Sequence, residues 1–267
     1  MRFATVLLVI LLCSCTKRAE RERESGFGPI DTMAHQIGDA MVAIDEAGGD
    51  DGGYSISSAI ATTCRLANTW GSCTSGQIVR DFQGCTRGGA TFTGQTTFTF
   101  SDASCAVDSD GDSVSRSPSF TITGRGGGNF TVSRTGTFGQ RVTRVSSSSF
   151  TFASDGIRRV LKHGGTTLSD FTTSTTSPLS ITGATRNGRI VSGGALGVFN
   201  NLAGVGCQFA PSNVQWNATC SCAVSGIWTA SCSNSVVSIF QIEGCGTGTL
   251  TYGSSSIPVT LDQCESL

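Results

Sequence analysis
Ten cysteines spread over two separate stretches constrain this chain more than any other feature, because each thiol must be cross-linked, ligated or shielded. Cys64, Cys73, Cys85 and Cys105 form one group, and Cys207, Cys220, Cys222, Cys232, Cys245 and Cys264 the other. Two further cysteines, Cys13 and Cys15, close an apolar run at the N-terminus. Structural zinc is held by four Cys or His ligands in tight pairs of the C-x2-C kind. No such pair occurs among the ten, and neither His35 nor His163 lies beside a cysteine. A metal centre is therefore not expected. An even set of thiols in an exported chain predicts disulfides instead.

Export is legible at the start. The apolar run from Phe3 to Leu12 follows a lone Arg2. A helix needs about twenty apolar residues to cross a bilayer core, so this run has the length of a signal rather than a span. It ends Leu12-Cys13-Ser14-Cys15. That ending resembles the lipobox of bacterial lipoproteins, with Leu at minus three, a small Ser at minus one and Cys at plus one. The resemblance covers residues 1–18 only. It implies removal of residues 1–14 as a signal peptide, Cys13 included. It also implies a covalent diacylglycerol and an N-acyl chain on Cys15, and attachment to the membrane through that anchor. Thr16 in place of Asp after the anchor implies the outer membrane of a Gram-negative envelope.

The two cysteine groups share an order. The first runs Cys64, Trp70, Cys73, Gly84-Cys85, Cys105, and the second Cys222, Trp228, Cys232, Gly244-Cys245, Cys264, with each interval kept to within one residue. We read this as an internal duplication, modules 64–105 and 222–264, near the size of one supersecondary unit. In each, a stretch alternating apolar residues with Thr or Ser and interrupted at Gly94 or Gly253 predicts a hairpin. Sequential pairing is then the simplest connectivity: Cys64 with Cys73, Cys85 with Cys105, Cys207 with Cys220, Cys222 with Cys232, and Cys245 with Cys264. Four cysteines allow three connectivities, so spacing alone leaves the alternatives open.

Short alternating segments punctuated by glycine continue through "SFTIT", "NFTVSRTGTF", "RVTRV", "SFTFAS", "GRIVSG" and "VVSIFQI". They predict an all-β fold, an antiparallel sandwich or barrel-like sheet, over residues 54–267 as a single domain. "TTLSDFTTSTTSPLS" has no clear period and fits a long loop as well as a strand. Residues 15–53 comprise the lipidated, charge-alternating tether and one amphipathic helix. Ile30, Met33, Ala34, Ile37, Ala40, Met41 and Ile44 form its apolar stripe, and Pro29 and Gly48-Gly49 suit its ends. Its polar face carries Asp31, Asp39, Asp45 and Glu46, the wrong sign for anionic lipid, so packing against the sheet is expected.

Charge is distributed unevenly. Ten Arg and Lys residues lie between Arg116 and Arg189 against Asp155 and Asp170, whereas no Lys or Arg follows Arg189. Arginine offers a flat fork of donors for carboxylate or phosphate, which makes Arg141, Arg144, Arg158 and Arg159 candidates for binding an anionic polysaccharide or lipid. Outward solubilising charge is the plainer reading. Asp108, Asp110 and Asp112 occupy the first, third and fifth positions of a calcium loop, but Ser113 and Ser119 stand where glycine and a bidentate Glu belong, so a turn is expected. No serine-hydrolase elbow, zinc-protease motif or phosphate loop occurs, and no basic-aromatic nucleic-acid module. No catalytic residue is assigned and no cofactor beyond the lipid anchor is implied. The sequence therefore points to a non-enzymatic, lipid-anchored binding, adhesion or structural module of the cell envelope. The alternatives are a carrier of an apolar ligand in a curled sheet and a polysaccharide-acting hydrolase, whose carboxylate pair no sequence spacing excludes.

Overall fold
The computed structural model describes residues 71–87, 90–124, 126–220, 222–233, 237–261 and 264. The lipobox, the tether, the predicted helix, Cys64, Trp70 and Arg125 lie outside the described residues. Within them the fold is all-β and antiparallel, as the alternation predicts. In chain order the strands are β1 (Gln77–Asp81), β2 (Cys85–Arg87), β3 (Ala90–Phe100), β4 (Ser113–Thr123), β5 (Gly128–Arg134), β6 (Gln140–Ser146), β7 (Ser149–Ser154), β8 (Ile157–His163), β9 (Thr166–Ser177), β10 (Leu179–Thr182), β11 (Ile190–Ser192), β12 (Ala195–Asn200), β13 (Val205–Gln215), β14 (Ser225–Cys232), β15 (Val237–Gly244), β16 (Thr247–Tyr252) and β17 (Ser255–Thr260).

Register reduces these seventeen strands to a simple meander. β5 lies along the second half of β4 and β6 along its first half, so the two are parts of one long strand. β8 and β7 continue beside them, then β9 and β10, then β12 and β11, and both halves meet again on β13. β1 and β2 share one edge of β3 in the same way. With those five pairs joined, seventeen strands become twelve long ones, each pairing with its sequence neighbour. Sequential antiparallel pairing needs only short connections.

The breaks line up into a crease across the sheet. The Thr135 N–H donates to the Gly156 carbonyl at 3.0 Å, Asp155 N–H to Gly139 at 2.9 Å, and Gly193 N–H to Pro211 at 3.3 Å. An extra residue in a strand re-phases its alternation. Thus Phe150 and Phe152 face the core before the crease, and Ile157 and Arg159 after it, although the residue parity has changed. Gly94 lies on this line, inside β3. It does not break a hairpin, contrary to the expectation from sequence. At φ +95°, a Cβ there would stand 2.4 Å from the Ser119 carbonyl oxygen, so glycine permits the close approach of β4. Gly253, in contrast, does lie in the turn between β16 and β17.

Inner-face rows follow register. Val114, Val142, Phe152 and Leu179 are successive cross-strand neighbours, as are Phe150, Ile181, Val191 and Val214, and all are buried. A smaller cluster of Phe82, Cys85, Phe92, Phe120, Val132 and Ile157 packs separately. Burying each such side chain contributes about 1.5–3 kcal/mol. The stretch 166–180 is not a loop. It forms β9 and β10, because Phe171, Thr173, Leu179 and Ile181 keep alternate residues buried.

The disulfide expectation fails in every testable pair. Cys73 joins Cys105, Cys207 joins Cys232, Cys220 joins Cys245, and Cys222 joins Cys264. Cys85 is disulfide-bonded too, and with every other described cysteine taken its partner lies outside the described residues. Sequential pairing assumed that a cysteine's partner closes its own hairpin. Instead the β13–β14 connection folds over the β15–β16 turn and the end of β17, which places Cys220 against Cys245 and Cys222 against Cys264. The two cysteine runs, alike in order, are bonded differently.

Candidate anion-binding face
The arginines separate by strand parity. In β8, Ile157 and Arg159 face inward and Arg158 and Lys162 outward. In β6, Gln140 and Val142 face inward and Arg141 outward. The structure therefore does not gather Arg141, Arg144, Arg158 and Arg159 into one cluster. Arg159 is buried and donates to the Thr173 hydroxyl at 3.3 Å. Arg144 lies at the end of β6, donating to the Val107 carbonyl at 3.3 Å and pairing with Asp110 at 3.4 Å.

Arg141 and Arg158 remain on the outer face, and two cations that the sequence reading passed over, Arg134 and Lys162, join them there. All four are exposed. Arg141 and Arg134 reach over β4, whose outward residues are Ser115, Ser117, Ser119, Thr121 and Thr123, while Arg158 and Lys162 stand on β8, one strand beyond β5. The Arg141 Nε donates to the Ser115 hydroxyl at 2.9 Å, and an Arg134 Nη donates to the Ser117 hydroxyl at 3.3 Å. Arg158 is opposite Ser133, which is opposite Ser119; Lys162 is opposite Asn129, which is opposite Thr123. The cations thus fall in the rows of Ser115, Ser117, Ser119 and Thr123, while the intervening row of Thr121 runs through Thr131 and Val160 to Asp170.

Segment 135–139, at the crease, holds two of them. Asp155 accepts hydrogen bonds from the N–H groups of Thr137, Phe138 and Gly139 at 2.5, 2.9 and 2.7 Å. A Cβ at Gly136 would stand 2.3 Å from that carboxylate, so only glycine admits this wrap. Arg134 donates to the Thr137 carbonyl at 2.6 Å, and the Arg141 guanidinium stacks 4.2 Å from the Phe138 ring centroid. Arg158 grips Asp170 with two donors, at 2.8 and 2.5 Å, and its side chain is still 47 % exposed. That bond with Arg158 holds the Asp170 carboxyl below its usual range; burial opposes the shift and Asn201 supports it.

A second polar feature runs beneath, on the inner face. Arg116 donates to Gln140 at 2.8 Å, and the Ser154 hydroxyl to the Thr173 carbonyl at 3.3 Å. Arg116, Arg159, Arg186 and Arg189 are buried, as is Arg80 outside the basic run, so outward solubilising charge describes only part of that run. Burial, with the nearby Arg116 charge, pushes the Arg80 guanidinium down to about 10.

The acidic stretch after Cys105 is a turn. Asp112 accepts the Ser109 N–H at 2.8 Å, Asp108 accepts the Ser109 hydroxyl at 3.2 Å, and Asp110 meets Arg144. No cluster of three His, Cys, Asp or Glu suited to a metal ion occurs among the described residues. His163 ends β8 on the surface. No family profile, curated protein or solved structure matches this chain.

Proposed function
We propose that the protein is a lipid-anchored module of the cell envelope, held at the outer membrane by Cys15, that works by binding an anionic glycan or lipid rather than by catalysis. The observation that carries the binding reading is the set of exposed cations on one outer face, Arg141 and Arg134 bonded to hydroxyls of β4 and Arg158 and Lys162 on β8. The oxidised state of every described cysteine favours an exported chain. In this reading the tether lifts the β domain off the membrane, and the disulfides brace a sheet rich in Ser, Thr and Gly.

Intact mass of the membrane-extracted protein, before and after reduction and alkylation, tests the anchor. The expected mass begins at Cys15 and carries three acyl chains, with ten further thiols appearing only on reduction. An unlipidated chain or thiols free before reduction would overturn it. Retention at low salt on immobilised polygalacturonate or on vesicles containing phosphatidylglycerol tests the binding. Retention on neither removes that half of the proposal.

A further inference from the structure
Resting on the binding reading, we propose that the ligand of the outer face is a linear acidic polysaccharide lying lengthwise over the outer face of β4, β5 and β8, with Arg141, Arg134, Arg158 and Lys162 meeting its acidic groups in turn. Four cations could converge on one small anion or be strung out for a polymer, and register decides between these. Arg141 is seated at Ser115, Arg134 at Ser117, Arg158 in the row of Ser119, and Lys162 in the row of Thr123. Alternate residues of a strand are about 6.8 Å apart, so the row spans roughly 27 Å. A lone phosphate or carboxylate would meet one of these groups at a time. A chain with charge recurring at every sugar or every second sugar meets them all.

The surface between the cations favours sugar over a membrane. Ser117, Ser119, Thr121, Thr131 and Ser133 line most of it with hydroxyls, with Val160 between Arg158 and Lys162, and the Thr121 and Thr131 hydroxyls bond each other at 3.2 Å across β4 and β5. Hydroxyls both donate and accept, as sugar hydroxyls require. Docking on a bilayer uses apolar side chains that enter the headgroup layer, or a dense basic cluster. Here the one aromatic ring of the site, Phe138, lies under the Arg141 guanidinium.

The experiment uses the full lipidated protein in detergent. Binding to soluble polygalacturonate is measured against neutral dextran and against phosphatidylglycerol vesicles, over a range of salt. Binding to polygalacturonate, weakened by salt and absent with dextran, is the expected result. Arg134→Gln and Arg141→Gln should each weaken it about threefold, as the loss of one exposed ion pair does. Arg144→Gln, off the row, should leave it unchanged. Melting curves identify any variant that has lost its fold, and Lys162→Gln, which removes no described hydrogen bond, then takes its place. Equal affinity of parent and row variants would overturn the proposal. Binding to vesicles but not to polygalacturonate would overturn the glycan and keep the anionic-ligand reading. Binding to neither would remove both.

Discussion

Adjacent arginines in this protein have opposite fates. Arg158 and Arg159 differ by one position in β8, and alternation sends the first to Asp170 on the outer face and the second to Thr173 within. That much was legible in "GIRRVLKH", where Ile157 and Leu161 mark the inward parity that Arg159 shares. The same rule applied to "QRVTRV" separates Arg141 from Arg144. Arg134 was not legible in this way, because parity with Val132 assigns it inward and the break after β5 turns it outward. The Arg158–Asp170 pair also gives a pH dependence. Asp170 has a carboxyl pKa lowered by folding from the ordinary 3.8, so its contribution is complete above that value and is lost as pH falls through the still lower folded value. Urea midpoints between pH 6 and pH 2 should therefore drop more steeply for the parent than for Asp170→Asn. The two curves, apart at neutrality, should converge in acid. Parallel curves would show that the pair contributes nothing to stability.

At the scale of elements, short alternating runs announced strands, and most of them are strands. What they concealed is that pairs of short strands are halves of long ones, re-phased at a common crease. A break that restores inward parity looks in sequence like an ordinary turn, so nothing in "SFTFASDGIRRV" shows that β7 and β8 run straight on as one strand. Gly94 was misread for a related reason. Sequence shows a glycine interrupting alternation, but only the structure shows β4 pressed against it. Gly94→Ala should combine the cost of a positive φ with a backbone clash against Ser119, about 3 kcal/mol or more. Gly165→Ala, at φ +81° with nothing within 4 Å, should cost about 1–2 kcal/mol for the φ alone. Thermal unfolding of the two variants measures the difference. Equal losses would mean that β3 and β4 can separate at the crease without cost.

Across the whole molecule, cross-linking is confined to the two ends of the meander. No cysteine lies between Cys105 and Cys207, so β4 to β12 are held by ladder hydrogen bonds and side-chain packing alone. Beyond them, Cys207–Cys232 joins β13 to β14 at one end, while Cys220–Cys245 and Cys222–Cys264 tie the β13–β14 connection to the opposite end of β15, β16 and β17. The number of bridges could be anticipated from parity, but their connectivity depends on where a connection crosses the sheet, which spacing does not encode. Closing loops of 25, 25 and 42 residues restricts the unfolded chain by about 3–4 kcal/mol each in the chain-entropy account. Reduction should therefore loosen the molecule unevenly. Amide hydrogen exchange, followed by peptide mass analysis before and after reduction, should show β14 to β17 losing protection first while β4 to β8 keep theirs. Loss of protection in all strands at once would mean that the sheet opens as one cooperative unit, and that the C-terminal disulfides stabilise the outward cationic row as well as the strands they join.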